Sequence, residues 1–228
     1  MMKVMKSLLI LSFLSFILVN CSESTSPTPT EGSIKISIRN GSSTFAKTTS
    51  TITITEARIV IDEIEFESSL GDSLDFEFEQ PFIQDLVSGN NLHEIESVEV
   101  PFGSYKETEI EIDDLDPKDG DVYAQNPVLQ DISVLVKGFV NGDSSEAFVF
   151  TSDIEAEQEK EFDQPLVLDE NSPSTNIVIS VDIAGWFIND QGQDLDPRIS
   201  ENRSIIEDNI EASFEIFEDE DDDGEDDD

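Results

Sequence analysis

The chain has 228 residues, with 53 Asp and Glu against 12 Lys and Arg, for a formal charge of −41. That balance excludes binding to nucleic acid through counterion release, which needs clustered Lys and Arg. It also means that an anionic membrane surface repels the chain, so attachment to a membrane needs a source of binding energy other than charge.

At the N-terminus, Lys3 and Lys6 precede an apolar run from Leu8 to Val19 that only Ser12 and Ser15 interrupt. A run of this length suits the core of an export signal, whereas a membrane-spanning helix needs about 20 apolar residues. Cys21, the one cysteine of the chain, follows directly in Leu18-Val19-Asn20-Cys21-Ser22. These residues resemble a bacterial lipoprotein signal, in which the cysteine is lipidated and becomes the first mature residue. The resemblance implies a signal peptide over 1–20 and attachment to the membrane through lipid on Cys21. Asn20 departs from the small residue usual before that cysteine. Ser22, where enteric bacteria place Asp to retain lipoproteins in the inner membrane, implies an exported protein held at the outer membrane, on its periplasmic face or at the cell surface. Each buried CH₂ of an acyl chain contributes about 0.8 kcal/mol, and several chains on one cysteine give a stable anchor. Loss of Lys3 and Lys6 takes the charge from −41 to −43. A single cysteine forms no internal disulfide, so the fold rests on its core. The excess of acids over lysine resembles the surface of proteins that live in salt, where screening acts within about 10 Å at 0.1 M.

Residues 21–32, rich in Ser, Thr and Pro, read as a tether. From Ser33 the apolar period is two: Ile34, Ile36 and Ile38 alternate with polar residues. Between Thr51 and Ser68 the parity of the apolar positions changes twice, which predicts bulges or bends near Thr55-Glu56 and Asp62-Glu63. Further strands are expected over 74–78, 82–87, 95–100, 106–113, 132–140, 146–151, 162–168 and 176–183. Asn141-Gly142 signals a hairpin between two of them. Short strands with frequent turns predict a mainly β domain over 33–217, an antiparallel β-sandwich. Near the end, Ile206, Ile210, Phe214 and Phe217 share one helical face behind Ser204 and Glu207, a capping-box pattern. A C-terminal helix is expected over about 205–217, with a strand through Phe214 and Ile216 as the alternative.

Three segments, Gly32-Ser33-Ile34-Lys35-Ile36, Ile54-Thr55-Glu56-Ala57-Arg58-Ile59 and Val100-Pro101-Phe102-Gly103-Ser104-Tyr105, resemble the domain-of-unknown-function 4382 family of bacterial lipoproteins. The resemblance spans about Gly32 to Ile183. It implies a sandwich of transthyretin-like or immunoglobulin-like type and carries over no catalytic residue.

Candidate chemistry is sparse. His93 is the one histidine, and no Gly-x-Ser-x-Gly elbow accompanies it, so no catalytic triad is assembled and His-rich zinc sites are excluded. Trp186, beside Phe187 and Ile188, reads as a core plug rather than a sugar-stacking platform. Glu109, Glu111 and Asp113 read as the wet face of a strand. The acidic tail over 218–228 contains Asp219, Asp221, Asp223 and Gly224, the opening of a calcium loop, with Asp227 at its ninth position. The chain stops before the closing twelfth ligand, and like charges in a row stay extended. The sequence thus predicts a lipid-anchored, non-enzymatic binding or structural module of the envelope that needs no cofactor, with calcium as the one candidate. A calcium-responsive tail is the alternative, and a carbohydrate-active enzyme using two carboxylates ranks below it. The protein or glycan partner is not readable from the residues.

Overall fold

Residues 30–41, 51–87, 93–219 and 226 are described in a computed structural model of the chain. Its first strands are β1 (Glu31–Asn40), β2 (Ile52–Ile61), β3 (Glu63–Ser68), β4 (Phe76–Phe78), β5 (Phe82–Asp85), β6 (His93–Pro101) and β7 (Gly103–Ile112). A short helix α1 (Asp121–Gln125) precedes β8 (Val134–Val140), β9 (Ala147–Ser152), β10 (Ala156–Leu168) and β11 (Ser174–Val181). Helix α2 (Arg203–Glu211) and strand β12 (Phe214–Glu218) complete the described elements.

The strands form three four-stranded sheets, ordered β12-β11-β1-β6, β10-β7-β3-β4 and β5-β2-β8-β9. The molecule is a mainly β sandwich with one short C-terminal helix, as the period-two pattern requires. β1 and β11, far apart in sequence, pair in parallel. The other pairings are antiparallel. Inward-facing residues of all three sheets, among them Ile34, Ile59, Phe66, Ile110 and Ile177, merge into one core and are at most 1% exposed.

Both changes of parity are present. The β2–β8 register shifts between Ile54 and Glu56, leaving Thr55 as the extra residue of a bulge. Asp62 separates β2 from β3. There the ribbon passes from one sheet to another: Val60 N–H donates to Ser133 O (2.9 Å), and Asp62 N–H donates to Glu111 O of β7 (2.9 Å). A second crossing joins β6 to β7 at Pro101-Phe102-Gly103. It is fastened by Tyr105, buried, whose hydroxyl donates to Pro101 O (2.7 Å) and whose ring meets Phe66 edge-on at 6.1 Å. A tyrosine bonding back to the backbone just upstream is the corner device of sandwich domains. The Asn141-Gly142 hairpin also forms. Both residues lie at positive φ (57° and 65°), and Asp143 N–H donates to Val140 O (3.1 Å).

The C-terminal helix is shorter than its pattern implies. Expected over 205–217, it stops at Glu211, and the chain then becomes β12, which pairs antiparallel with β11 from Val181↔Phe214 to Ile177↔Glu218. Ile206 and Ile210 stay on the buried helical face, whereas Phe214 and Ile216 bury at period two. The open edge of β11 decides the outcome, because β12 satisfies its backbone donors and acceptors. The Ser204 capping box is not made. A 3₁₀ turn (Ser200–Asn202) leads into α2, and Glu207 instead pairs with Arg203 (3.0 Å) and accepts Ser152 Oγ–H (2.6 Å). Trp186 is fully buried, its Nε1–H donating to Ser213 Oγ (2.7 Å). Among the described residues no helix is long and apolar enough to cross a membrane.

β2 and β9 approach β8 closely at Gly138. A Cβ on Gly138 would stand 2.1 Å from Thr53 O and 2.9 Å from the Phe148 ring. Gly138→Ala is therefore expected to lower stability by about 1–3 kcal/mol or more, since overpacked backbone must shift. Urea denaturation of the two proteins checks this.

Candidate cation-binding face

The sheet β10-β7-β3-β4 turns one face to the core and the other to water. Inward, Ile64 and Phe66 of β3, Ile110 and Ile112 of β7, and Ala156 and Phe162 of β10 are buried. The alternation that points these residues inward points glutamates outward from each strand.

Register then lines the glutamates up across the strands. Glu157, Glu111 and Glu63 form one row, Glu159, Glu109, Glu65 and Glu77 the next, and Glu161, Glu107 and Glu67 the third. With strands about 4.8 Å apart and alternate residues about 6.8 Å apart along a strand, the ten side chains make a two-dimensional lattice of carboxylates. Lys106, the extra residue of a bulge in β7, is paired with Glu67 at 2.6 Å. Glu63, Glu65 and Glu77 each offer a carboxylate oxygen within 4.8 Å of the other two, an arrangement that could hold one hard cation.

Electrostatics follow from the crowding. The carboxyls of Glu63, Glu65, Glu107, Glu109 and Glu111 are pushed above their ordinary value, first by burial and then by neighbouring carboxylates. Cross-strand glutamates repel one another directly: Glu109 feels Glu157 and Glu65, and Glu65 feels Glu77. Such a face favours any arriving cation, above all one with two charges.

The residues singled out from the sequence fall elsewhere, with two exceptions. Glu109 and Glu111 do lie on the outward face of β7, while Asp113 follows the end of that strand. Trp186 belongs to the core. His93 opens β6, where its backbone is in register with Ile38. Asp219 is fully buried, its N–H donating to Asn176 O (2.9 Å) and its Oδ2 accepting Asn176 Nδ2–H (3.3 Å). Asp221, Asp223 and Asp227 of the tail, and Cys21, lie outside the described residues. The lattice itself escaped residue-by-residue reading. Its signal is the threefold recurrence of Glu-x-Glu-x-Glu, at 63–67, 107–111 and 157–161.

No protein-family model and no curated protein matches the chain. Among solved structures, MbnP from Methylosinus trichosporium is similar over 72% of this chain and 78% of its own, at 11% identity and a TM-score of 0.37. A likeness that distant assigns neither a ligand nor an activity.

The raised carboxyls give stability an unusual pH dependence. Each holds its proton more firmly folded than unfolded, so its destabilising effect is full above the raised folded value. That effect fades as pH falls through the folded value, and is gone below the unfolded one, ordinarily 4.5. Asp143, Asp169 and Asp196 act oppositely, since hydrogen bonds from Ser145, Ser172 and Arg198 hold them below 3.8, and their support is lost only in stronger acid. Tm is thus expected to rise as pH drops from neutrality toward the ordinary carboxyl value of 4.5, and to rise less in Glu65→Gln/Glu109→Gln. Calorimetric melts at fixed ionic strength test it.

Proposed function

We propose that this chain is a lipid-anchored, non-enzymatic binding module of the bacterial envelope whose working surface is the carboxylate lattice on β10-β7-β3-β4, and whose ligand is cationic. The observation that carries the reading is the register that puts glutamate opposite glutamate across four strands. Like charges directly opposite destabilise a sheet, and ten of them on one face are an arrangement that bound cations would relieve. The resemblance to the domain-of-unknown-function 4382 lipoproteins and the signal-like run before Cys21 support an exported, tethered setting, with the outer membrane as the destination. Calcium enters through the sheet in this reading. The tail supplies less support, because Asp219 is engaged with Asn176.

Lattice binding is multivalent, weak per ion and sensitive to salt. A surface of this kind takes up divalent cations and, through them, an anionic partner such as an acidic glycan. Millimolar calcium is expected to raise Tm above that in sodium chloride of equal ionic strength, with each linked kcal/mol adding about 2–4 °C. The excess should shrink in Glu109→Gln/Glu159→Gln. Equal melting in the two salts would mean a salt-adapted surface with no ligand.

The anchor is tested apart from the lattice. Cys21→Ala is expected to move the protein from the membrane to the soluble fraction of broken cells with its Tm unchanged. A variant that still sediments with membranes would remove the tether from the reading.

A further inference from the structure

Thr30, the first of the described residues, accepts a hydrogen bond on its carbonyl from Phe102 N–H (3.0 Å) at the corner between β6 and β7. Two residues further along that corner, Ser104 O accepts Ser69 N–H (2.7 Å), and Ser104 Oγ–H donates to Ser69 Oγ (3.2 Å). The β3–β4 turn therefore sits at the end of the domain where β1 begins. The turn is closely held: Ser68 N–H donates to Asp75 Oδ1 (2.7 Å), Leu74 N–H donates to Gly71 O (3.0 Å), and Gly71 adopts φ 120°, which favours glycine. It nevertheless presents Leu70, 75% exposed, and Leu74, 54% exposed. On the other side of Ser104, its register partner Val167 of β10 is 53% exposed.

Isolated exposed apolar side chains are ordinary on a protein surface. These three share one end, and the two leucines share one turn, in a chain whose formal charge is −41. What lies beyond that end decides the reading. From Cys21 to Thr30 the chain advances nine residues, which span at most about 30 Å. A lipid on Cys21 thus keeps this end within reach of the bilayer, and the strands of β10-β7-β3-β4 extend away from it. The lattice row nearest the end, Glu161-Glu107-Glu67, is also the row in which Lys106 pairs with Glu67.

We propose that this end is a membrane-docking surface, in which Leu70, Leu74 and Val167 enter the interface of a zwitterionic phospholipid bilayer. The proposal rests on the lipid anchor of the preceding reading and deepens it: the anchor brings the domain to the membrane, and the turn sets how the domain stands there. Three aliphatic side chains alone bind lipid too weakly to hold a protein, whereas a tethered surface meets the bilayer at a high effective concentration. Leucine and valine suit the task because they carry no polar group into the interface. Asp72 and Asp75 at the turn and Glu31 of β1 oppose a negatively charged surface, so neutral headgroups fit where anionic ones do not. Docked this way, β7 rises from the membrane at Gly103. The lattice then faces sideways, with its Glu67 row near the lipid and its Glu63 row farthest from it.

The test uses the full-length lipidated protein, purified in detergent and reconstituted into phosphatidylcholine vesicles. Because lipid occupies Cys21, a single introduced cysteine takes an environment-sensitive fluorophore. Leu70→Cys is labelled, with Val149→Cys on β9 as the control, since Val149 is 65% exposed. On reconstitution the fluorophore at 70 is expected to shift its emission to the blue and to be quenched by a quencher carried on the lipid chains. The fluorophore at 149 should do neither. A fluorophore at Val167→Cys should lose most of its quenching when Leu70→Ser/Leu74→Ser is added. Quenching at 70 should fall when anionic lipid replaces phosphatidylcholine at low salt, and a rise would overturn the choice of neutral headgroups. Vesicle flotation separates the docking surface from the anchor. Protein that floats while the fluorophore at 70 stays in water, while 70 and 149 are quenched alike, or while Leu70→Ser/Leu74→Ser changes nothing at 167, overturns the docking surface and leaves the anchor standing. Protein that does not float overturns the anchor, and the docking surface with it. A blue shift at 70 without vesicles, in a Cys21→Ala protein that sediments as a dimer, would assign the patch to a second copy and overturn the proposal as well.

Discussion

Repulsion between glutamates that face one another across β10, β7, β3 and β4 is the constraint around which the molecule is organised. Each like-charged pair costs on the order of 0.2–1 kcal/mol. Beneath them Ile64, Phe66, Ile110, Ile112 and Phe162 are buried, and burying a side chain of that size contributes about 1.5–3 kcal/mol. The apolar side wins by a small factor, so the sheet stays paired while its outer face stays frustrated. Strands with period-two patterning are suited to this, because the same alternation that gathers the core also gathers the charge.

The corner at Asp62 follows from the same arrangement. A ribbon that serves two sheets must break its hydrogen-bond ladder once, and the residue at the break is neither fully in the core nor on the lattice. Asp62 occupies it with one oxygen on Lys118 and the other without a partner. The chain's few cations are placed in a related way: Lys106 pairs with Glu67, Lys137 and Arg58 both pair with Glu56, and Arg198 pairs with Asp196 and Glu146. These pairs sit at the bulges of β2 and β7 and at the turn around Asp196, and the middle row of the lattice has no ion pair among the described residues.

Much of this was legible in the residues one strand at a time. Parity changes in Thr51–Ser68 gave the Thr55 bulge and the Asp62 break, because a period-two strand cannot move its apolar set to the other face without an extra residue. Asn141-Gly142 gave its hairpin, and Trp186 its burial. The end of α2 was not legible, since Phe214 and Phe217 satisfy a helical face and a strand equally until the edge of β11 is available to pair. Register was not legible either. Each Glu-x-Glu-x-Glu run is an ordinary wet face alone, and only pairing of β7 with β3 and β10, between glutamates roughly 40 to 54 residues apart, turns three runs into a lattice.

The parallel pairing of β1 and β11 has a mechanical meaning. β1 begins at Glu31 and is flanked on one side by β11 and on the other by β6, so the first described strand is interior to its sheet. A pull applied through the residues before Thr30 would run along the axis of β1. It would load the ladders on both sides in shear, many hydrogen bonds at once, instead of peeling an edge strand bond by bond. A domain held at its lattice and pulled from its N-terminal side, as the proposed anchor would pull it, would then yield at a rate set by breaking that whole ladder together, which is the arrangement that resists force longest.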